Sequence, residues 1–190
     1  MRGIDRSRLA LAIAGAAVYV GSIVLANWML LHVGAPGPGA RVLPVGFGLE
    51  APSGVYVAAL AFIARDLVQR YAGPRVAVAA IVIGAALSAL VSTATLAFAS
   101  GATFLLSEST DFLLFQPLQR RTLPGAVFTA GLAAIVVDSV VFLTLAGIPL
   151  HAALPGQLLG KFWIVLVGSA ATIGLRRVTP APSLRPRAAS

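Results

Sequence analysis

Leu9-Ala10-Leu11-Ala12-Ile13-Ala14-Gly15-Ala16-Ala17-Val18-Tyr19-Val20-Gly21-Ser22-Ile23-Val24-Leu25-Ala26-Asn27-Trp28-Met29-Leu30-Leu31 runs from the first arginines to His32 without a charged side chain. At about 1.5 Å per residue, such a run spans about 30 Å of hydrocarbon as a single helix. Arg2, Arg6 and Arg8 in front of it resemble the basic start of a signal peptide. Signal-peptide apolar segments are only about 7–15 residues long. This run is longer, and it reads as a retained first membrane helix.

Composition extends that reading to the whole chain. Of 190 residues, 58% are apolar and 11% are charged, and mean hydropathy is +0.94. A soluble domain carries about 25% charged residues. The expected fold class is therefore an all-α integral membrane protein, a bundle of six transmembrane helices with both termini cytoplasmic. The net charge of +8 raises the question of nucleic acid. Its arginines, however, stand at the ends of apolar runs, where they act as cytoplasmic anchors. The partners expected are the lipid bilayer and a small-molecule substrate, and not nucleic acid.

Further along the chain, the helices are expected at about Leu9–Leu31, Ala51–Gly73, Val76–Phe98, Thr103–Leu118, Pro124–Leu145 and Gln157–Leu175. Gly34, Pro36, Gly37, Pro38 and Gly39 exclude regular helix from the first connection. Ser100-Gly101 marks a turn, and 147–155 a loop. Residues 1–8 form a cytoplasmic N-terminus, 9–177 the six-helix transporter domain and 178–190 a disordered cytoplasmic tail. With the N-terminus inside, Arg41 is the only arginine on the outer face. That asymmetry predicts a multi-pass protein of the cell inner (plasma) membrane. Ala10, Ala12, Ala14 and Ala16 are expected to let neighbouring helices approach.

The informative residues are those that do not suit lipid. Glu108, Asp111, Asp138 and Lys161 all fall inside apolar segments, where a single charge costs at least about 2.5–3.5 kcal/mol. Counted along the helices, all four lie in one level of the outer half, which predicts a common polar cavity. Glu108 and Asp111 are three apart and share a helix face, with Lys161 expected to neutralise one or both. Asp111-Phe112-Leu113-Leu114-Phe115 and Asp138-Ser139-Val140-Val141-Phe142 each put a ring one turn from a carboxylate. A planar heterocycle with N–H donors suits that arrangement. Arg65 and Asp66 read as an interfacial pair at the cytoplasmic end of the second helix, and Asn27 as an interhelical hydrogen-bonding residue.

Catalysis and metal binding find no support. There is no Ser/His/Asp set, no His-Glu-x-x-His and no phosphate-cradling loop. Cysteine is absent, and His32 and His151 stand far apart. No enzyme, no cofactor and no metal site are expected.

Arg65-Asp66-Leu67-Val68-Gln69-Arg70 through Gly73, Phe104-Leu105-Leu106-Ser107-Glu108 with Asp111 and Phe115, Val137-Asp138-Ser139 with Phe142, and Gly160-Lys161 occur in that order. Together they resemble the VUT family, the vitamin uptake and queuosine precursor transporters, over about Val20 to Leu175. The chain departs from the family pattern at Arg70, where an acidic residue is usual, and at Ala72, where tyrosine is. The resemblance implies an inner-membrane importer of a queuosine precursor, 7-cyano-7-deazaguanine or a related 7-deazapurine. The substrate-binding residues expected with it are Glu108, Asp111, Phe115, Asp138, Phe142, Lys161, Asp66 and Asn27. Two alternatives stay open: a substrate-capture subunit served by a separate energising module, and a scaffold whose charges only lock helices. A homo-oligomer is open as well.

Overall fold

The computed structural model describes residues 6–37, 39–94 and 96–178. Its elements are α1 (Arg6–His32), β1 (Ala35–Pro36), β2 (Arg41–Gly46), β3 (Leu49–Pro52), α2 (Val55–Tyr71), α3 (Pro74–Val91), α4 (Ala97–Leu118), α5 (Leu123–Leu145) and α6 (Leu150–Val178). Residues 1–5 of the expected N-terminal segment, and the expected tail from Thr179 on, lie outside the described residues.

The six helices among the described residues match the expected number of helices. Four of them, α1, α3, α5 and α6 over Leu150–Gly174, are long and apolar enough to cross a membrane. α2 is the shortest, at 17 residues, and α4 carries Glu108 and Asp111. α2 lies at the centre and touches each of the other five helices. Its inner half packs Ala61 and Ala64 against Tyr19 and Ile23 of α1. Phe62 packs with Ala134, Ile135 and Val165 of α5 and α6.

The purely α expectation is corrected in the first connection. Residues 35–52 form a three-stranded antiparallel sheet in the order β1-β2-β3. Glycine and proline reject helix, but they do not reject short strands joined by tight turns. The β2–β3 connection is a two-residue turn in which Phe47 has φ 53° and Gly48 φ 73°. Two positive φ values are the signature of the type I′ hairpin turn, whose twist suits antiparallel strands.

The sheet also moves the start of the second helix, since Ala51 lies in β3 and α2 begins at Val55. Ser100 and Gly101 do not end a helix but sit inside α4, because the break comes earlier, between Val91 and Ala97. A side chain on Gly101 would come within 3.1 Å of the Ala89 methyl group, so its role is close approach of α4 to α3. α6 starts at Leu150 and takes Pro155 into its first turns. The close contact between α1 and α2 runs through Gly15, whose missing Cβ leaves room for Ala64 O at 3.1 Å. Ala14 and Ala16 are exposed.

Candidate functional site

The charged residues inside the bundle fall into two groups, one sealed and one beside a cavity. The sealed group is organised by Arg65 on α2, which has no exposed surface. Its Nε donates to Glu108 Oε2 at 2.9 Å. Nη2 lies 2.6 Å from Asp111 Oδ2, and Nη1 lies 3.1 Å from Asp66 Oδ1. Nη1 also donates to Gln69 Oε1. Gln69 passes the chain on, donating from Nε2 to Gln116 Oε1 at 2.6 Å. The guanidinium carbon lies 6.0 Å from the centre of the Phe115 ring.

Helical spacing explains how this group assembles. Glu108 and Asp111 lie three apart on α4, and Arg65 and Gln69 four apart on α2, so each pair shares a face. A guanidinium offers five N–H donors in a fixed fork, which lets one side chain serve several carboxylates. Asp66, Glu108 and Asp111 give three acidic groups to one cation, and all three are buried. Glu108 Oε1 and Asp111 Oδ1 make no hydrogen bond.

The second group is centred on Lys161 of α6. Its Nζ pairs with Asp138 Oδ2 of α5. It also donates to Gln157 Oε1 at 2.8 Å and to Ser139 Oγ at 3.1 Å. Ser107 Oγ donates to Asp138 Oδ1 at 3.2 Å. Because Ser107 directly precedes Glu108 on α4, it ties the two groups together. Asp138 keeps 15% of its side chain exposed while Lys161 is nearly covered.

What Asp138 is exposed to is a cavity of about 90 Å³. Its polar edge carries Asn27, Ser88, Ser100, Thr103, Gln157 and the Asp138–Lys161 pair; Phe62, Phe104 and Phe142 are among its apolar walls. The Thr103 hydroxyl, buried at the wall, makes no hydrogen bond. Asn27 is anchored, donating to Ile23 O at 2.9 Å and accepting from Ser92 Oγ at 2.8 Å. About 10–15 Å³ admits one water, so the space holds several waters or a small ring system.

Of the residues expected in a substrate site, Asn27, Asp138, Phe142 and Lys161 line this cavity. Glu108, Asp111, Asp66 and Phe115 gather instead around Arg65. Phe115 is fully buried and packs on Ile63, Leu123, Ala126, Val127 and Ala130. Two expectations are corrected. Glu108 and Asp111 pair with Arg65, while Lys161 belongs to Asp138. Arg65 and Asp66 are not an interfacial pair but lie in the bundle interior, because α2 continues past them to Tyr71. Arg65 was missed as the organising cation; charge balance is the signal in the sequence that could have found it, since Glu108, Asp111 and Asp138 need more than one cation. Gln157, one turn before Lys161 on the same face, was also missed.

No protein-family model, no curated protein and no solved structure matches this chain.

Proposed function

We propose that the protein imports a small, uncharged, planar heterocycle across the inner membrane, and that its ligand belongs to the 7-deazapurine queuosine precursors. The class of ligand comes from the resemblance to the VUT family. The observation that carries the reading is the cavity at the Asp138–Lys161 pair, in a bundle with four helices long and apolar enough to cross a membrane. A cation and an anion already paired leave no net charge for the ligand to balance. Asp138 accepts N–H donors from one edge of a base, as carboxylates do from amino groups of nucleobases. Gln157 and Asn27 offer amide donors to a ring carbonyl, and Phe104 and Phe142 offer faces for stacking. In this reading the Arg65 group lies behind the wall and fixes α4 against α2.

The orientation of the cavity is read from the arginines. Arg6, Arg8, Arg70, Arg75, Arg120 and Arg121 stand at the helix ends remote from the cavity, and Arg41 at the near ends. Positive charge marks the cytoplasmic side, so the cavity lies in the outer half. The test is binding of 7-cyano-7-deazaguanine to purified protein by calorimetry, together with its uptake by cells lacking their own importer. Binding and uptake are both expected. A folded sample that neither binds nor transports it sinks the substrate class, and binding without uptake points to a capture subunit.

A further inference from the structure

We propose that the β2–β3 turn does not stand in water but is seated among lipid acyl chains, with Phe47 packed against hydrocarbon. Phe47 is 85% exposed, the most exposed large apolar residue described. Its neighbours fix its depth. Val45 O accepts from Trp163 Nε1 at 3.2 Å, and the Val45 side chain meets the position a Cβ on Gly160 would take, at 3.0 Å. Gly160 precedes Lys161, whose partner Asp138 lies seven residues inside the end of α5 at Leu145. That places the turn about 10 Å below the end of a helix long enough to cross the bilayer. At its other end the sheet lies level with the α5–α6 connection, where Gly39 meets Ile148. Six residues of β2 extend about 20 Å, more than enough to cover this descent at a tilt.

Backbone in hydrocarbon must have its polar groups satisfied, and β2 meets that demand at Pro44 and Val45, beside the tip. Its Pro44 has no N–H to satisfy, Pro44 O accepts from Tyr56 Oη at 3.1 Å, and Val45 O from Trp163. The tip Val45-Gly46-Phe47-Gly48-Leu49 carries no polar side chain, whereas turns in water favour Asn, Asp and Ser. Trp163 and Leu166, exposed on the adjoining face of α6, continue an apolar surface from the tip. The occupant this surface fits is the acyl chain of a lipid.

The absence of native cysteine allows a clean test on the full chain. Phe47→Cys carries a nitroxide in phosphatidylcholine vesicles, and its collisions with oxygen and with a water-soluble nickel chelate are compared. Leu132→Cys, on the exposed face of α5, is the lipid reference and His151→Cys the water reference. The oxygen-to-nickel ratio at position 47 is expected to match that at 132. A ratio like that at 151 overturns the proposal, and so does protection from both reagents, which would mean that a second protein chain covers the tip. Phe47→Asn supplies an independent reading. It suits a type I′ turn better than phenylalanine, so it raises the melting temperature if the tip is in water; no gain or a fall is expected for a tip in lipid.

Discussion

Arg65 keeps three carboxylates together in a place closed to water, and its removal leaves buried charge with nothing to offset it. Truncating one member of a buried ionic group costs about 3–5 kcal/mol. Arg65→Ala is therefore expected to destabilise the bundle by about that much, with Arg65→Lys intermediate because a point ammonium lacks the fork that reaches Glu108, Asp111 and Asp66 together. Thermal unfolding in detergent measures both; an Arg65→Ala protein as stable as the parent contradicts the central role of this residue. The Asp138–Lys161 pair calls for a different experiment, because it borders the cavity. Replacing both partners of a buried pair by uncharged groups is often neutral for stability. Asp138→Asn with Lys161→Met is thus expected to melt near the parent while uptake falls at least tenfold, about 1.4 kcal/mol. Lost stability with normal uptake would make the pair a helix lock and nothing more.

At the scale of elements, glycines decide how the sheet is held. A Cβ on Gly156 would stand 1.8 Å from Glu50 O, and one on Gly54 would stand 2.6 Å from Ala26 O. In both cases the obstacle is backbone, which cannot rotate away, so α6 passes β3, and α1 passes the β3–α2 junction, at bare Cα positions. Gly156→Ala is expected to cost about 1–3 kcal/mol, the usual range for overpacking, while Gly174→Ala, with open space around it, leaves the melting temperature unchanged or higher. Equal melting temperatures for the two variants would mean that the sheet is loosely docked. This grip also marks what the sequence did and did not disclose. The long apolar runs gave α1, α3 and α5 to within a few residues at most ends, because lipid demands uninterrupted apolar length. The sheet escaped notice because its strands are two to six residues long and their contacts lie far along the chain. For the same reason the resemblance and the charge pattern could gather Glu108, Asp111, Asp138 and Lys161 without sorting them. Which acid meets Arg65 and which meets Lys161 depends on helix rotation, and a one-dimensional pattern does not contain it.

At the scale of the molecule, length is unevenly distributed among the helices, and the sheet compensates. α1 has 27 residues and α6 has 29, about 40 Å each, whereas α2, at 17, reaches about 25 Å. The space above the start of α2 is occupied by β2 and β3, whose Val45 and Ala51 pack on Val55. A short charged helix at the centre, completed by a hairpin, would cross the bilayer only because the other five helices pack around it. This makes α2 and α4, the two helices outside the four long and apolar enough to cross, the ones whose crossing most needs measurement. Single cysteines at Ala35, Ala72, Ala94 and His151 probe it with an impermeant maleimide on intact cells. Ala35 and Ala72 flank α2, and labelling of Ala35 but not of Ala72 is expected if α2 crosses and the arginine-rich face is inside. Ala94 and His151 are expected to label together. Because α5 is long and apolar enough to cross, agreement between those two sites requires α4 to cross as well. If Ala35 and Ala72 label alike, α2 does not span and the hairpin is not at membrane depth. If every site labels in the reverse sense, the six helices stand but the cavity faces the cytoplasm, and the protein is an exporter or an inward-facing state of the importer.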